Sequence, residues 1–307
     1  LPTRRDFQGI LLPTTTPFDP QGSIAWPELR ANLESWNKTG IRGYVLLGST
    51  GERVHLDDRE YVQAIETARA LVPDELAFIV GAGQQSTLGT VKEIKSAVSA
   101  GADAVLVITP YFYRSAITQE TLVSYYTAVA DEAPVPVLLY SMPPFTGIKI
   151  EPETVARLSE HANIIGVKDS SNDVAGFAKT VELCSSDFAV MTGNGTVLLD
   201  ALRAGATGGI LAVGCVVPEI CVEIFRAFSA GEVEHADKLQ EKLTPLAAAV
   251  TTRFGIGGLK AALEFAGYHG GAVRAPLRKP DENAQNEIAK LLQEVEAVVP
   301  QRRKGAK

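Results

Sequence analysis

Cysteine, histidine, positive charge and long apolar runs are all scarce in this chain, and each shortage closes off a class of function. The three cysteines, Cys184, Cys215 and Cys221, are an odd number dispersed over apolar segments with no CxxC pair. They read as reduced core residues of a cytoplasmic protein rather than a disulfide framework or metal site. The four histidines, His55, His161, His235 and His269, make no HxxxH pair and no cluster with carboxylates. Metal-centred chemistry is therefore disfavoured, and no metal or other cofactor is expected. No apolar run approaches the roughly 18 residues of a membrane span, and Leu1–Arg5 shows no signal-peptide pattern, so no membrane association is expected. Lysine and arginine number 29 against 36 acidic residues, a net charge of −7. Nucleic acid is thus not an expected partner, because its backbone rewards a basic face. An anionic substrate gains nothing from long-range attraction either, so local donors must hold it.

Apolar residues make up 46% of the 307, enough for a large core in one domain or two. Short runs rich in β-branched residues alternate with segments of helical period. The strand candidates are Ile10–Thr14, Gly43–Leu47, Phe78–Gly81, Ala104–Thr109, Val135–Tyr140, Ile164–Lys168, Phe188–Met191 and Gly209–Val213. Between them lie amphipathic stretches: Trp26–Lys38, Asp57–Leu71, Leu88–Ala100, Thr118–Asp131, Glu153–Glu160, Val174–Leu183 and Thr196–Arg203. Asp57 and Thr118 suit helix starts, and Gly40, Gly101 and Gly205 suit helix stops. Most strands are apolar throughout rather than alternating, as expected when protein covers both faces. The pattern predicts an α/β fold, a (β/α)8 TIM barrel over residues 1–215, with a doubly wound sheet as the alternative. Helical segments Pro218–Phe228, Val233–Val250, Ile256–Ala266 and Glu282–Val298 then make a C-terminal helical extension, residues 216–307.

In such barrels the chemistry sits at the C-terminal ends of the strands. Those ends carry Thr14-Thr15-Thr16, Gly48-Ser49-Thr50-Gly51-Glu52, Thr109-Pro110-Tyr111-Phe112-Tyr113, Tyr140-Ser141, Lys168-Asp169-Ser170 and Thr192-Gly193-Asn194-Gly195. They offer hydroxyls, backbone N–H groups and one amine, but no carboxylate pair of the glycosidase kind. The amine is the informative group. Lys168 follows Ile164-Ile165-Gly166-Val167, so it leaves a buried strand where water is scarce, and desolvation favours its neutral, nucleophilic form. Lys149, between two isoleucines but in an alternating context beside a turn, reads instead as solvent-facing. The small residues of Gly48–Glu52 let successive amides approach an anion. Tyr140, beside Ser141 and ahead of Pro143-Pro144, is placed to relay a proton. Thr192–Thr196 has the look of a phosphate loop, but no cation follows until Arg203. Glu52 reads as a helix-start carboxylate favoured by the dipole.

Taken together, Gly48-Ser49-Thr50-Gly51-Glu52, Tyr140 with Met142-Pro143, and Val167-Lys168-Asp169 resemble the dihydrodipicolinate synthase/N-acetylneuraminate lyase family. The resemblance spans nearly the whole chain and implies a class I, Schiff-base lyase that uses pyruvate. It implies that Lys168 adds to the keto carbon and that Tyr140 shuttles protons through the Ser49 and Thr50 hydroxyls. Ser49, Thr50 and Gly51 would hold the pyruvate carboxylate, and Gly193 and Ile210 match positions lining that pocket. It further implies a homotetramer, with Tyr111–Tyr113 near a dimer interface. Two departures bear on the second substrate. Phe145 stands where the synthases usually carry a carboxylate-binding arginine, and Phe112 where they carry a relay tyrosine, leaving Tyr111 or Tyr113 to replace it. Lys168-Asp169-Ser170 and the tail Thr252–Lys260, with Gly267–Gly271 and Arg274-Ala275-Pro276-Leu277, resemble 4-hydroxy-2-oxoglutarate aldolase. The first expectation is thus cleavage of 4-hydroxy-2-oxoglutarate to pyruvate and glyoxylate, with Ser170 touching substrate. The alternatives are dihydrodipicolinate synthesis from pyruvate and aspartate semialdehyde, or action on a 2-keto-3-deoxy sugar acid as aldolase or dehydratase. A non-catalytic 2-oxoacid binder is the alternative from another class.

Overall fold

Eight parallel strands pair in chain order around a closed barrel in the computed structural model, which describes residues 7–297. Leu1–Arg5 and the expected helix end at Val298 lie outside the described residues. The strands are β1 (Gly9–Pro13), β2 (Gly43–Leu46), β3 (Ala77–Ala82), β4 (Ala104–Ile108), β5 (Val137–Ser141), β6 (Ile164–Asp169), β7 (Ala189–Thr192) and β8 (Gly208–Ile210). Gly9 pairs with Gly208 and Leu11 with Ile210, which closes the ring and rules out a doubly wound sheet.

Each strand buries both faces, as its composition predicts. Leu11, Val45, Ile79, Leu106, Leu138, Met191 and Ile210 fill the barrel interior. Their neighbours Ile10, Leu12, Leu46, Phe78, Val80, Val105 and Val107 pack outward beneath the helices. Burying such side chains is worth about 1.5–3 kcal/mol each before entropy is counted, so the two layers together drive closure.

The helices are α1 (Trp26–Trp36), α2 (Asp58–Arg69), α3 (Thr87–Ser99), α4 (Gln119–Glu132), α5 (Pro143–Thr146), α6 (Pro152–Ser159), α7 (Val174–Leu183) and α8 (Leu198–Arg203). Asp57 caps α2 by accepting from Glu60 N at 2.7 Å, while the Glu60 carboxylate accepts from Asp57 N at 3.1 Å. Thr118 caps α4 by accepting from Thr121 N at 3.2 Å, without a reciprocal bond, and Gly40, Gly101 and Gly205 stop their helices with positive φ. Short α5 was not anticipated; two prolines occupy its first turn, where their missing N–H groups cost nothing. The last strand is also shorter than expected, because Ala212–Cys215 turns into a 3-10 helix.

After β8 come α9 (Pro218–Ser229), α10 (Val233–Ala248), a π-helical turn Ala249–Arg253, α11 (Gly255–Phe265) and α12 (Glu282–Glu296). Helix α9, just past the 215/216 division, packs on β1 and against α10, and α12 packs against both α10 and α11. Helix α10 also reaches the mouth of the barrel: Gln240 Nε2 donates to the carbonyl of Gly195, beyond β7, at 2.9 Å. Cys215 and Cys221 are buried, which pushes the Cys221 thiol up to about 12; Cys184 is only half-buried. No helix among the described residues is long and apolar enough to cross a membrane.

Candidate active site

Lys168 points into the barrel because of an irregularity in β6. Val137 pairs with Ile164, but the next residue, Leu138, pairs with Gly166, so Ile165 is an extra residue. This bulge resets the alternation. From there Gly166 and Lys168 share the inward face with Leu138 and Tyr140, while Val167 packs outward. Lys168 is 4% exposed.

Tyr140 is its direct neighbour on β5, with the Lys168 Nζ 4.4 Å from the centre of the phenol ring. A ring face at that distance packs against the amine without occupying its N–H bonds. Among the described residues no acceptor engages Nζ by a hydrogen bond. The Tyr140 hydroxyl lies 2.9 Å from Ser49 Oγ, and either can donate. The direct partner of the phenol is thus Ser49, with Thr50 buried one residue further on.

Ser49–Gly51 forms a 3-10 turn, so the Ser49 and Thr50 amides open it without acceptors inside it. Such successive N–H groups suit a carboxylate. Thr16 Oγ1 donates to the Gly51 carbonyl at 2.8 Å, which ties this loop to the end of β1. Thr14, Thr15 and Thr109 line the strand ends with buried hydroxyls that have no partner among the described residues.

Opposite, β7 brings Gly193 against the lysine stem. A Cβ on Gly193 would lie 1.9 Å from Ser170 Oγ and 2.9 Å from Lys168 Cε, so only glycine leaves Lys168 its path. Ile210 is fully buried in the same inner layer. Asp169, on the outward face of β6, has its carboxyl pushed up by burial, partly offset by bonds from Ser171.

The structure therefore gathers Ser49, Thr50, Gly51, Tyr140, Lys168, Ser170, Gly193 and Ile210 at one end of the barrel. Tyr111 and Tyr113 stand apart: Tyr113 is 69% exposed and packs edge-on against Phe112, and neither hydroxyl bonds to Tyr140 or Ser49 within the chain. Phe145, on α5, is 62% exposed. Arg114 lies beside Gly147 at the end of α5, where an added Cβ would sit 2.9 Å from its Nη1.

Two readings from sequence are corrected, those of Glu52 and Lys149. Glu52 precedes only a 3-10 turn, Arg53–His55, which its side chain does not cap; α2 begins at Asp58, and Glu52 is buried 2.6 Å from Lys260 Nζ. At the loop after β7, where the sequence already disfavoured a phosphate cradle for want of a cation, Arg203 turns away to Asp200 and Asp237. Lys149 is only partly exposed and is held at 2.8 Å by Asp173. A local signal for Lys260 was present and unused: it is the one charged residue in the otherwise apolar run Gly255–Leu263, as expected of a buried helix.

The chain matches the profile of the Dihydrodipicolinate synthetase family over residues 6–295. It belongs to that family. A 4-hydroxy-tetrahydrodipicolinate synthase of Syntrophus aciditrophicus is 34% identical over 287 residues, 94% of this chain and 98% of the relative. One from Methanothrix thermoacetophila is 34% identical over 281 residues, covering 90% and 93% of the two chains. Among solved structures, a dihydrodipicolinate synthase from Bacillus anthracis superposes with a TM-score of 0.90 at 29% identity, covering 96% of this chain and 99% of its own. YagE from E. coli K12, a prophage protein of the dihydrodipicolinic acid synthase family solved in complex with pyruvate, gives 0.88 at 29% identity, covering 94% and 99%. Membership of the dihydrodipicolinate synthetase family makes this chain a lyase of the class I aldolase type and sets aside the non-catalytic binder. Between the two leading substrate readings, the names of the relatives favour the synthase over the 4-hydroxy-2-oxoglutarate aldolase.

Proposed function

We propose that Lys168 forms an imine with the keto carbon of pyruvate, and that the derived enamine joins an aldehyde, with aspartate semialdehyde as the partner. One observation carries the imine: an inward-facing, buried amine with no acceptor of its own stands over a phenol that is bonded to Ser49. The neutral amine adds to the pyruvate C2; the adduct's hydroxyl takes a proton from the Tyr140 relay and leaves as water, which gives the iminium. Its positive charge draws electrons from C3, which gives up a proton to form the enamine. Enamine C3 then attacks the aldehyde carbon; the new C–C bond forms as the aldehyde oxygen takes a proton. Tyr140, through Ser49, moves the protons. Ser49, Thr50 and Gly51 hold the carboxylate, Gly193 leaves room for the lysine, and Ile210 walls the pocket.

The synthase names of the relatives support aspartate semialdehyde, and Arg114 beside α5 offers its carboxylate a cation that Phe145 does not. Phe145 itself favours the second reading, in which the same imine chemistry runs in the cleavage direction on 4-hydroxy-2-oxoglutarate, with Ser170 touching substrate. The exposed Phe112 and Tyr113 suit contact with another copy, in keeping with a homotetramer, although a monomeric variant exists among similar synthases. A role for Tyr111 or Tyr113 in the proton relay would then act across that contact.

The test is reduction with borohydride in the presence of pyruvate, followed by digestion and mass measurement. An adduct on the peptide carrying Lys168, absent from Lys168→Ala, is the expected result; no adduct would sink the proposal. Condensation with aspartate semialdehyde is then compared with pyruvate release from 4-hydroxy-2-oxoglutarate, 2-keto-3-deoxygluconate and N-acetylneuraminate. Dominant release from one of these would overturn the choice of aldehyde.

A further inference from the structure

The loop that carries Ser49 and Thr50 is bracketed by two non-glycine residues in the left-handed region, Leu47 and Glu52, each with φ 56°. Such conformations persist only where the surroundings over-determine them. At Glu52 the surroundings come from the C-terminal extension. Its Oε1 lies 2.6 Å from Lys260 Nζ on α11, and its Oε2 accepts from the Arg274 amide at 3.1 Å and stands 3.0 Å from His55 Nδ1.

Lys260 is 2% exposed and has a second grip on the same loop. Its Nζ donates to the Thr16 carbonyl at 2.7 Å and to the Ala272 carbonyl at 2.6 Å, while the Thr16 hydroxyl holds Gly51. One ammonium thus joins the end of β1, the loop after β2 and the tail. Phe18 closes the cluster, with Lys260 Nζ 4.5 Å and the Arg274 guanidinium carbon 4.3 Å from its ring centre. Arg274 is itself anchored by Glu60 and by the carbonyls of Gly22 and His55.

We infer that Lys260 and Glu52 are positioning residues for the substrate carboxylate: their buried ion pair holds the Ser49–Thr50 amides and hydroxyls where the carboxylate binds. Neither side chain touches the reacting atoms. The inference rests on the proposed pyruvate imine. It assigns to the C-terminal extension a part in substrate binding that its distance along the chain from the barrel strands conceals.

Lys260→Met alone leaves the Glu52 carboxylate buried without its partner and can fail to fold, so the deciding variant is Glu52→Gln/Lys260→Met, which removes both charges. Imine formation is measured by borohydride trapping against pyruvate concentration, and separately against propanal, which has no carboxylate. For the folded double variant, half-saturating pyruvate should rise roughly tenfold, the worth of one good hydrogen bond. Maximal trapping and the propanal reaction should stay as in the unsubstituted protein. An unchanged pyruvate dependence, or an equal loss with propanal, would overturn the inference while leaving the imine standing. Absence of any pyruvate imine in the unsubstituted protein would overturn both.

Discussion

Among the described residues two lysines lie in the interior, Lys168 on β6 and Lys260 on α11, 4% and 2% exposed. Their depth is alike and their surroundings are opposite. Lys260 donates to two carbonyls and pairs with Glu52, so its N–H bonds are engaged by acceptors fixed in the fold. Burial still brings its amine down to about 8, against the pull of Glu52 in the other direction. Lys168 Nζ has no hydrogen-bond acceptor among the described residues and lies against the face of Tyr140, whose hydroxyl meets Ser49. A buried lysine held by fixed acceptors and a carboxylate is a structural tie; one without them can attack a carbonyl. Burial by itself does not distinguish the two.

That contrast is best broken by exchanging the consequences of mutation. Lys168→Ala should cost roughly 10⁴-fold or more in kcat, as loss of a covalent nucleophile does, with little change in melting temperature. A turnover assay beside thermal denaturation checks both halves; retained activity would remove the nucleophile assignment. Tyr140→Phe should lower kcat by about 10²–10³-fold while the Lys168 adduct still forms under borohydride. Normal turnover in that variant would show that another group moves the proton.

For Lys260→Met the expected loss is in stability, about 3–5 kcal/mol from stranding a buried carboxylate, or on the order of 10 °C in Tm. Removing Glu52 as well should recover much of it, and calorimetry of the three proteins gives the answer. The same lysine has a pH signature. Its folded-state pKa of about 8 lies below the ordinary lysine value of 10.5. Between those values the unfolded chain holds a proton that the folded chain has released, so the contribution of this group to stability rises with pH across that window. The slope of Tm with pH should therefore be more positive in the unsubstituted protein than in Lys260→Met; parallel slopes would contradict it. The smallest effect belongs to Lys149→Met. Its pairs with Asp173 and Glu151 are partly solvated, so a loss within about 1 kcal/mol and unchanged turnover are expected from the same assays.

Much of the site was legible because barrels place chemistry at strand ends and the strands are easy to find. Runs such as Ala104–Ile108 are apolar on both faces, which few other arrangements tolerate, and Asp57 and Thr118 cap helices where a local rule says they should. Lys168 stood out for the same reason, as a polar group at the end of an apolar run. Glu52 was misread because its partner is more than two hundred positions away, and no local pattern reports a contact of that range. The second substrate was also drawn differently, since Phe145 is visible in the chain while the nearness of Arg114 to that segment is not.

By itself, the sequence determined the number and order of the strands, the capped helix starts at Asp57 and Thr118 and the residue types at the mouth of the barrel. These depend on periodicity, capping and turn chemistry, all short-range properties of the chain. Only the tertiary structure decided which way Lys168 faces, because the extra residue Ile165 becomes a bulge through pairing between β5 and β6. It alone decided, too, that one lysine is held by Thr16, Ala272 and Glu52 while the other is left unengaged. Whether a buried amine is quiet or reactive depends on the acceptors that distant segments bring to it, and those are set by closure of the barrel and docking of its tail.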